Sequence, residues 1–121
     1  MTLTLAIITG NIGAELMTRF LSNFAEFMDE VIVVRAIGNQ TPDDSLAVAK
    51  EAGCIVAEYR NKPENAWPHV DDFAAARNMA WEMATSEWIM WADTDDIIDP
   101  ADMHRILATL EDRGEKFDML I

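Results

Sequence analysis

Residues 88–96 read Trp-Ile-Met-Trp-Ala-Asp-Thr-Asp-Asp, an apolar run of strand length that stops at three carboxylates. A short continuous apolar run bounded by polar residues predicts a strand buried on both faces, as in the middle of a parallel sheet. In open α/β sheets ligands sit outside the carboxyl ends of the strands, near the point where strand order reverses. The acids therefore mark a ligand edge. Three carboxylates crowded there repel one another, and a hard divalent cation relieves that repulsion. The plainer reading of acids after a strand is a helix start, but Asp99 before Pro100 already fills that role. Asp93, Asp95 and Asp96 are left for a ligand.

The remaining segments alternate in the way such a sheet requires. Leu3–Thr9 is an apolar, β-branched run ended by Gly10-Asn11-Ile12-Gly13, which predicts a strand and a tight turn. From Ala14 to Met28, Leu16, Phe20, Phe24 and Phe27 recur at helical spacing. Val31–Ala36 predicts a second buried strand, followed by a loop with Gly38, Asn39 and Pro42. Asp43-Asp44-Ser45 opens a helix through Ala52, with Gly53 as its C-cap. Cys54–Tyr59 is a third strand. Residues 61–72 contain two prolines and Trp67-Pro68-His69, the longest irregular stretch, and loops that long in a small domain are usually functional or mobile. Asp71 or Asp72 caps a helix over 73–85 with Phe73, Ala76, Ala80, Met83 and Ala84 as its buried stripe. After the strand Glu87–Ala92, a helix from Pro100 turns Met103, Ile106, Leu107 and Leu110 inward and stops at Gly114; Phe117–Ile121 reads as a fifth strand.

This alternation calls for an α/β fold, an open, mostly parallel Rossmann-like sheet with helices on both faces. Right-handed crossovers limit the topologies. If three strands wind one way and the fourth starts back beside the first, the order is 3-2-1-4. Thr9-Gly10-Asn11 then lies beside Asp93-Thr94-Asp95 at the switch point. At 121 residues the chain reads as one domain spanning 1–121.

Charge narrows the partners. With 22 acids against 9 bases the formal charge is -13, so neither nucleic acid nor an anionic membrane is expected as a partner. An anionic substrate is compatible if a divalent cation bridges it to the acids. Cys54 is the only cysteine, which suits a cytoplasmic protein without disulfides, and there is neither a basic leader nor an apolar run of membrane-spanning length, so no membrane insertion is expected.

Spacing rejects several acidic or glycine-rich motifs. An EF-hand begun at Asp93 would need glycine and glutamate where the chain has Ile98 and His104. Gly10-Asn11-Ile12-Gly13 is neither a P-loop nor a dinucleotide fingerprint. A phospho-acceptor receiver would want acids after the first strand, where this chain has Thr-Gly-Asn. His69 and His104 lack zinc-site spacing. Arg77 follows three alanines early in its helix, where a cation opposes the dipole. It either snorkels to solvent or turns its planar donors toward a ligand's carbonyl or phosphate.

Taken together, the opening strand with Thr9-Gly10-Asn11, the strand Glu30-Val-Ile-Val-Val, the helix Ser45–Gly53, Asp72-Phe-Ala-Ala-Ala-Arg77-Asn78 and Glu87-Trp-Ile-Met-Trp-Ala-Asp93-Thr-Asp95-Asp96 resemble the N-terminal half of a family-two glycosyltransferase of GT-A fold. The resemblance implies a nucleoside-diphosphate sugar donor, usually linked to UDP, with Mn²⁺ or Mg²⁺ on the diphosphate at an Asp-x-Asp motif. By motif match it puts Asp93 on the ribose, Asp95 on the metal, Arg77 near the base, and Thr9 with Asn11 along the nucleoside. The acceptor, a saccharide, lipid or protein, and the general base of an inverting transfer would belong to a further half. The family usually has aspartate after the second strand where this chain has Arg35, which implies altered base recognition. Two other readings stay open: a non-catalytic nucleotide- or partner-binding module of the same fold, and a nucleotidyltransferase, which would need a basic phosphate-gripping loop.

Overall fold

A computed structural model describes residues 2–94, 97, 99–113 and 119–120. Five strands, β1 (Leu3–Thr9), β2 (Glu30–Ile37), β3 (Ile55–Arg60), β4 (Trp88–Trp91) and β5 (Met119–Leu120), form one parallel sheet in the order β3-β2-β1-β4-β5. The expected 3-2-1-4 winding is present, and the fifth strand extends it on the β4 side. The predicted stop at Gly114, and residues 117, 118 and 121 of the predicted last strand, lie outside the described residues.

The strands obey the two-residue alternation of a sheet covered on both sides. Leu3, Leu5, Ile7, Val33, Trp88 and Met90 face three helices: α1 (Ala14–Phe24), α2 (Ser45–Glu51) and α4 (Pro100–Arg113). Ala6, Ile32, Val34, Ile89 and Trp91 face α3 (Phe73–Met83). Full burial of a side chain such as Phe24 or Met17 contributes roughly 1.5–3 kcal/mol, so these two layers hold the domain together. On α1 the buried stripe is Met17, Phe20, Leu21 and Phe24, with Leu16 only half-buried. The stripe is thus turned by one residue from the expected one, and a single turn of 3₁₀ helix over 25–27 follows it.

α3 meets the sheet through Ala76 and Ala80, both fully buried, whose small side chains allow close approach. Phe73, expected in this stripe, is 44% exposed. It stands in the first turn, beyond the strand ends, and its ring covers Arg77 instead of the sheet. Asp72 caps α3 by accepting from the Ala75 N–H at 3.0 Å. α2 is capped differently: Asp43, two residues before the helix, accepts from the Ser45 N–H at 2.9 Å, while Asp44 at the cap position makes no side-chain cap.

The amino edge of the sheet is tied by its own acids. Asp29 accepts from the Leu3 N–H at 2.7 Å and donates its own N–H to the Leu3 carbonyl at 2.9 Å. Glu30 accepts from the hydroxyl of fully buried Thr4 at 2.9 Å and from the Thr85 N–H and hydroxyl at 3.0 and 2.9 Å. Burial pushes the Glu30 carboxyl up, but the bonds from Thr85 and Thr4 together hold it below the usual range. No described helix is long and apolar enough to cross a membrane.

Candidate functional site

At the carboxyl edge, β1 and β4 are direct neighbours, with Ala6 opposite Trp91 as their last pair. Beyond that pair β1 continues through Ile7 and Ile8 to Thr9, while β4 has ended and the chain passes through Ala92 and Asp93. This is the switch point of the sheet: β2 and β3 lie on one side of β1 and β4 and β5 on the other. Open sheets of this kind form their ligand crevice there.

The β1–α1 turn is clasped to the segment entering α2. The Asn11 amide donates to the Thr41 carbonyl at 2.9 Å, and its oxygen accepts from the Asp43 N–H at 3.3 Å. Asp43 accepts from the Gly13 N–H at 2.8 Å and from the Ser45 hydroxyl at 2.5 Å. Burial alone would raise the Asp43 carboxyl, but the Ser45 and Gly13 bonds and the Arg35 charge hold it below the usual range. Gly13, at φ 85°, supplies the left-handed backbone that lets the turn present its N–H this way. Asn11 thus spends both ends of its amide within the protein.

Thr9 is fully buried, and its Oγ1 is without a hydrogen-bond partner. Its register partner Arg35 is 5% exposed and reaches Glu58 on β3 at 3.0 Å and Asp43 at 3.7 Å, with its Nε also unpartnered. Arg35 and Glu58 are themselves register partners, so β2 and β3 point the two side chains to the same face. Arg35 is thus the centre of a buried ion-pair cluster beneath the clasp.

Arg77 settles between two rings. Its guanidinium carbon lies 5.1 Å from the centroid of Phe73 and 5.2 Å from that of Trp91. The cation is held against aromatic faces at the end of β4, whose last residue, Trp91, stands two residues before Asp93. Its Nε is buried without a partner. The amino edge satisfies its acids, whereas all three orphaned side-chain atoms among the described residues, on Thr9, Arg35 and Arg77, belong to elements converging at the carboxyl edge. Such groups call for explanation in a folded protein.

The 61–72 loop crosses this edge and is closely tied. Asn61, 7% exposed, donates to the His69 carbonyl at 2.9 Å and accepts from the Asp71 N–H at 3.1 Å. The Asp71 carboxylate accepts from the Lys62 N–H, the Asn65 amide and, at 2.9 Å, His69 Nε2. The Lys62 N–H, helped by Asn65 and His69, holds that carboxyl below its usual range. Asn39 N–H donates to the Pro63 carbonyl at 2.8 Å. Two glycines make room: a Cβ on Gly38 would lie 2.5 Å from the carbonyl oxygens of Lys62 and Asn65, and one on Gly10 would overlap Cβ and Cγ of Trp67. Sequence reading singled out the loop by its length, but not these contacts, since a glycine that receives another segment looks locally like any turn glycine.

Asp93 is exposed at the end of β4. Asp95 and Asp96 lie outside the described residues, and among the described residues no three acids, histidines or cysteines gather as metal ligands. His104 stands edge-on to the Phe27 ring at 5.5 Å, away from this edge. Cys54 borders a cavity of about 170 Å³ at the amino edge, where burial pushes its thiol up and makes it a poor nucleophile.

The fold is an open α/β domain whose strand order reverses between β1 and β4. The chain belongs to glycosyl transferase family 2, whose model matches residues 27–118. A TPR repeat-containing protein of Synechococcus elongatus is 36% identical over 83 residues, covering 69% of this chain and 18% of that protein. The chain therefore spans about a fifth of that relative's length.

Proposed function

We propose that the chain binds a nucleoside-diphosphate sugar at the carboxyl edge between β1 and β4 and serves glycosyl transfer to an acceptor. The observation that carries this reading is Arg77 held against Phe73 and Trp91, the last residue of β4, at the switch point of a family 2 domain. A cation fixed there is suited to a ligand bearing negative charge or carbonyl groups, and its planar donors match phosphate or a base edge. Thr9 is enclosed and the Asn11 amide is engaged, so in this reading the β1 end meets the nucleoside through its main chain at Thr9–Gly10. Asp93 takes the ribose hydroxyls.

By its place in the Asp-x-Asp motif, Asp95 would hold Mn²⁺ or Mg²⁺. The donor set fits such ions, because strand-end carboxylates are hard oxygen ligands that leave sites for diphosphate and water. When bound, the cation would bridge protein and diphosphate and stabilise the negative charge of a leaving nucleotide. The donor sugar, commonly UDP-linked, the acceptor and an inverting course belong to the same proposal. A binding module without transfer shares the donor site and differs only in lacking turnover.

Thermal melts test the site. Mn²⁺ together with UDP should stabilise the parent, and either alone should do much less, because bare diphosphate meets like charge and bare metal finds few protein ligands. At a hundred times the dissociation constant the gain is about 2.7 kcal/mol, which is several degrees of Tm. Asp95→Ala should abolish the rise without lowering the ligand-free Tm. A full rise in that variant would move the metal elsewhere.

A further inference from the structure

The donor reading leaves open what receives the flat base, and among the described residues one ring at the carboxyl edge is placed for it; Tyr59, near the end of β3, packs on the Ala6 and Val34 layer. The β1–α1 turn, Gly10-Asn11-Ile12-Gly13, carries no aromatic residue: Asn11 is bonded to the 41–43 segment and Ile12 packs on the core. Phe73 and Trp91 both grip Arg77. Trp88 is buried within the sheet. Trp81 is exposed but lies in the last turn of α3, toward Thr85 and the amino edge. Trp67 differs from all of these. Its Cβ and Cγ rest against Gly10, the residue that follows β1 at the switch point, and a methyl group on Gly10 would also come within 3.1 Å of its Cδ1.

Trp67 is half-buried, so part of its indole is seated on the backbone and part faces outward. It is also held before any ligand arrives. Asn61 and Asp71 join the two ends of its loop, and the Gln40 amide donates to the Asn65 carbonyl at 3.2 Å, tying the middle of the loop to the end of β2. Tryptophan presents a large rigid face with few rotatable bonds, and aromatic faces stack on any base regardless of its hydrogen-bonding edge. We propose that Trp67 is the stacking wall of the nucleobase subsite, seated by Gly10, so that the loop after β3 supplies the ring that the turn after β1 lacks. This rests on the donor reading above and adds a residue to it. The wall discriminates nucleotide from bare diphosphate and is indifferent to which base is carried.

Calorimetric titration with UDP, GDP and inorganic pyrophosphate, each with Mn²⁺, separates the two ideas. Trp67→Leu should weaken UDP and GDP by a similar factor, roughly ten- to hundredfold as for loss of one base–aromatic stack, and leave pyrophosphate unchanged. Trp67→Phe should retain most of the affinity. Gly10→Ala, which keeps the ring but pushes it from its seat, should lose nucleotide and keep pyrophosphate. The quench of indole fluorescence by UDP in the parent should fall in Trp67→Phe. If the parent binds UDP and folded Trp67→Leu binds it equally well, the wall is refuted while the donor site stands. If pyrophosphate affinity falls together with UDP in both Trp67→Leu and Gly10→Ala, Trp67 only props the loop and the proposal is wrong. A parent that binds neither nucleotide refutes the donor reading itself.

Discussion

Arg35 on β2 and Glu58 on β3 stand directly opposite in register and close an ion pair at 3.0 Å, with the arginine 5% exposed. Asp43 completes the cluster from the α2 entrance: its main-chain carbonyl accepts from Arg35 Nη1 at 3.3 Å. Buried pairs of this kind are costly to break from one side, because the remaining charge is left without its partner. Arg35→Ala should therefore destabilise the domain by about 2–4 kcal/mol in chemical denaturation, the partial exposure of both acids keeping the loss below that of a fully enclosed pair. Arg35→Met, which refills the volume, should lose less than alanine does. The effect of Arg35 is expected first in stability, since its guanidinium lies beneath the clasp and not at the surface.

Asp43 should govern part of the acid limb of the stability curve. Its carboxyl is held below the usual range in the folded protein. A depressed folded value means that its stabilisation is fully present above the unfolded value near pH 4 and is lost as pH falls through the folded value. Asp43→Asn should thus be less stable at pH 7 by about 1–2 kcal/mol, through weakened bonds to Gly13 and Ser45, and should lose less stability than the parent between neutral pH and roughly pH 3. Denaturant titrations across that range, compared between the two proteins, measure both effects.

Glu30 offers the matching control at the opposite edge. Its removal leaves the hydroxyl of fully buried Thr4 and the N–H of Thr85 without their acceptor. Glu30→Ala should cost about 1–3 kcal/mol of stability. Its affinity for UDP with Mn²⁺, measured where the variant is folded, should match the parent, because the acid stands at the end of the sheet away from Asp93.

Arg77 should separate stability from binding in the other direction. Cation–π contacts with Phe73 and Trp91 contribute about 0.5–1 kcal/mol each at partly exposed sites. Arg77→Met keeps the stem between the rings and replaces the cation by a sulfur that also favours aromatic neighbours, so its melting temperature should fall by only a few degrees. Nucleotide affinity with Mn²⁺ should fall roughly tenfold or more, as expected for loss of a charge-assisted contact. Unchanged calorimetric affinity in Arg77→Met would assign this cation to packing alone.

The sequence by itself determined the parts of this protein that depend on near neighbours. Alternating apolar residues such as Leu5 and Ala6 on β1, or Val33 and Val34 on β2, specify strands covered on both faces, and short right-handed connections then yield the order β3-β2-β1-β4. Asp72 as a helix cap and Gly53 at φ 93° beyond α2 were equally legible, since caps are satisfied within a few residues. Tertiary structure alone decided which side chains were already engaged. It turned Arg35 inward to Glu58 and Asp43, bonded Asn11 to the 41–43 segment, drew Phe73 over Arg77 instead of onto the sheet, and laid Trp67 on Gly10. Periodicity records only which face of an element is apolar; the partner of a polar group or a glycine is chosen by whichever distant segment the fold brings against it.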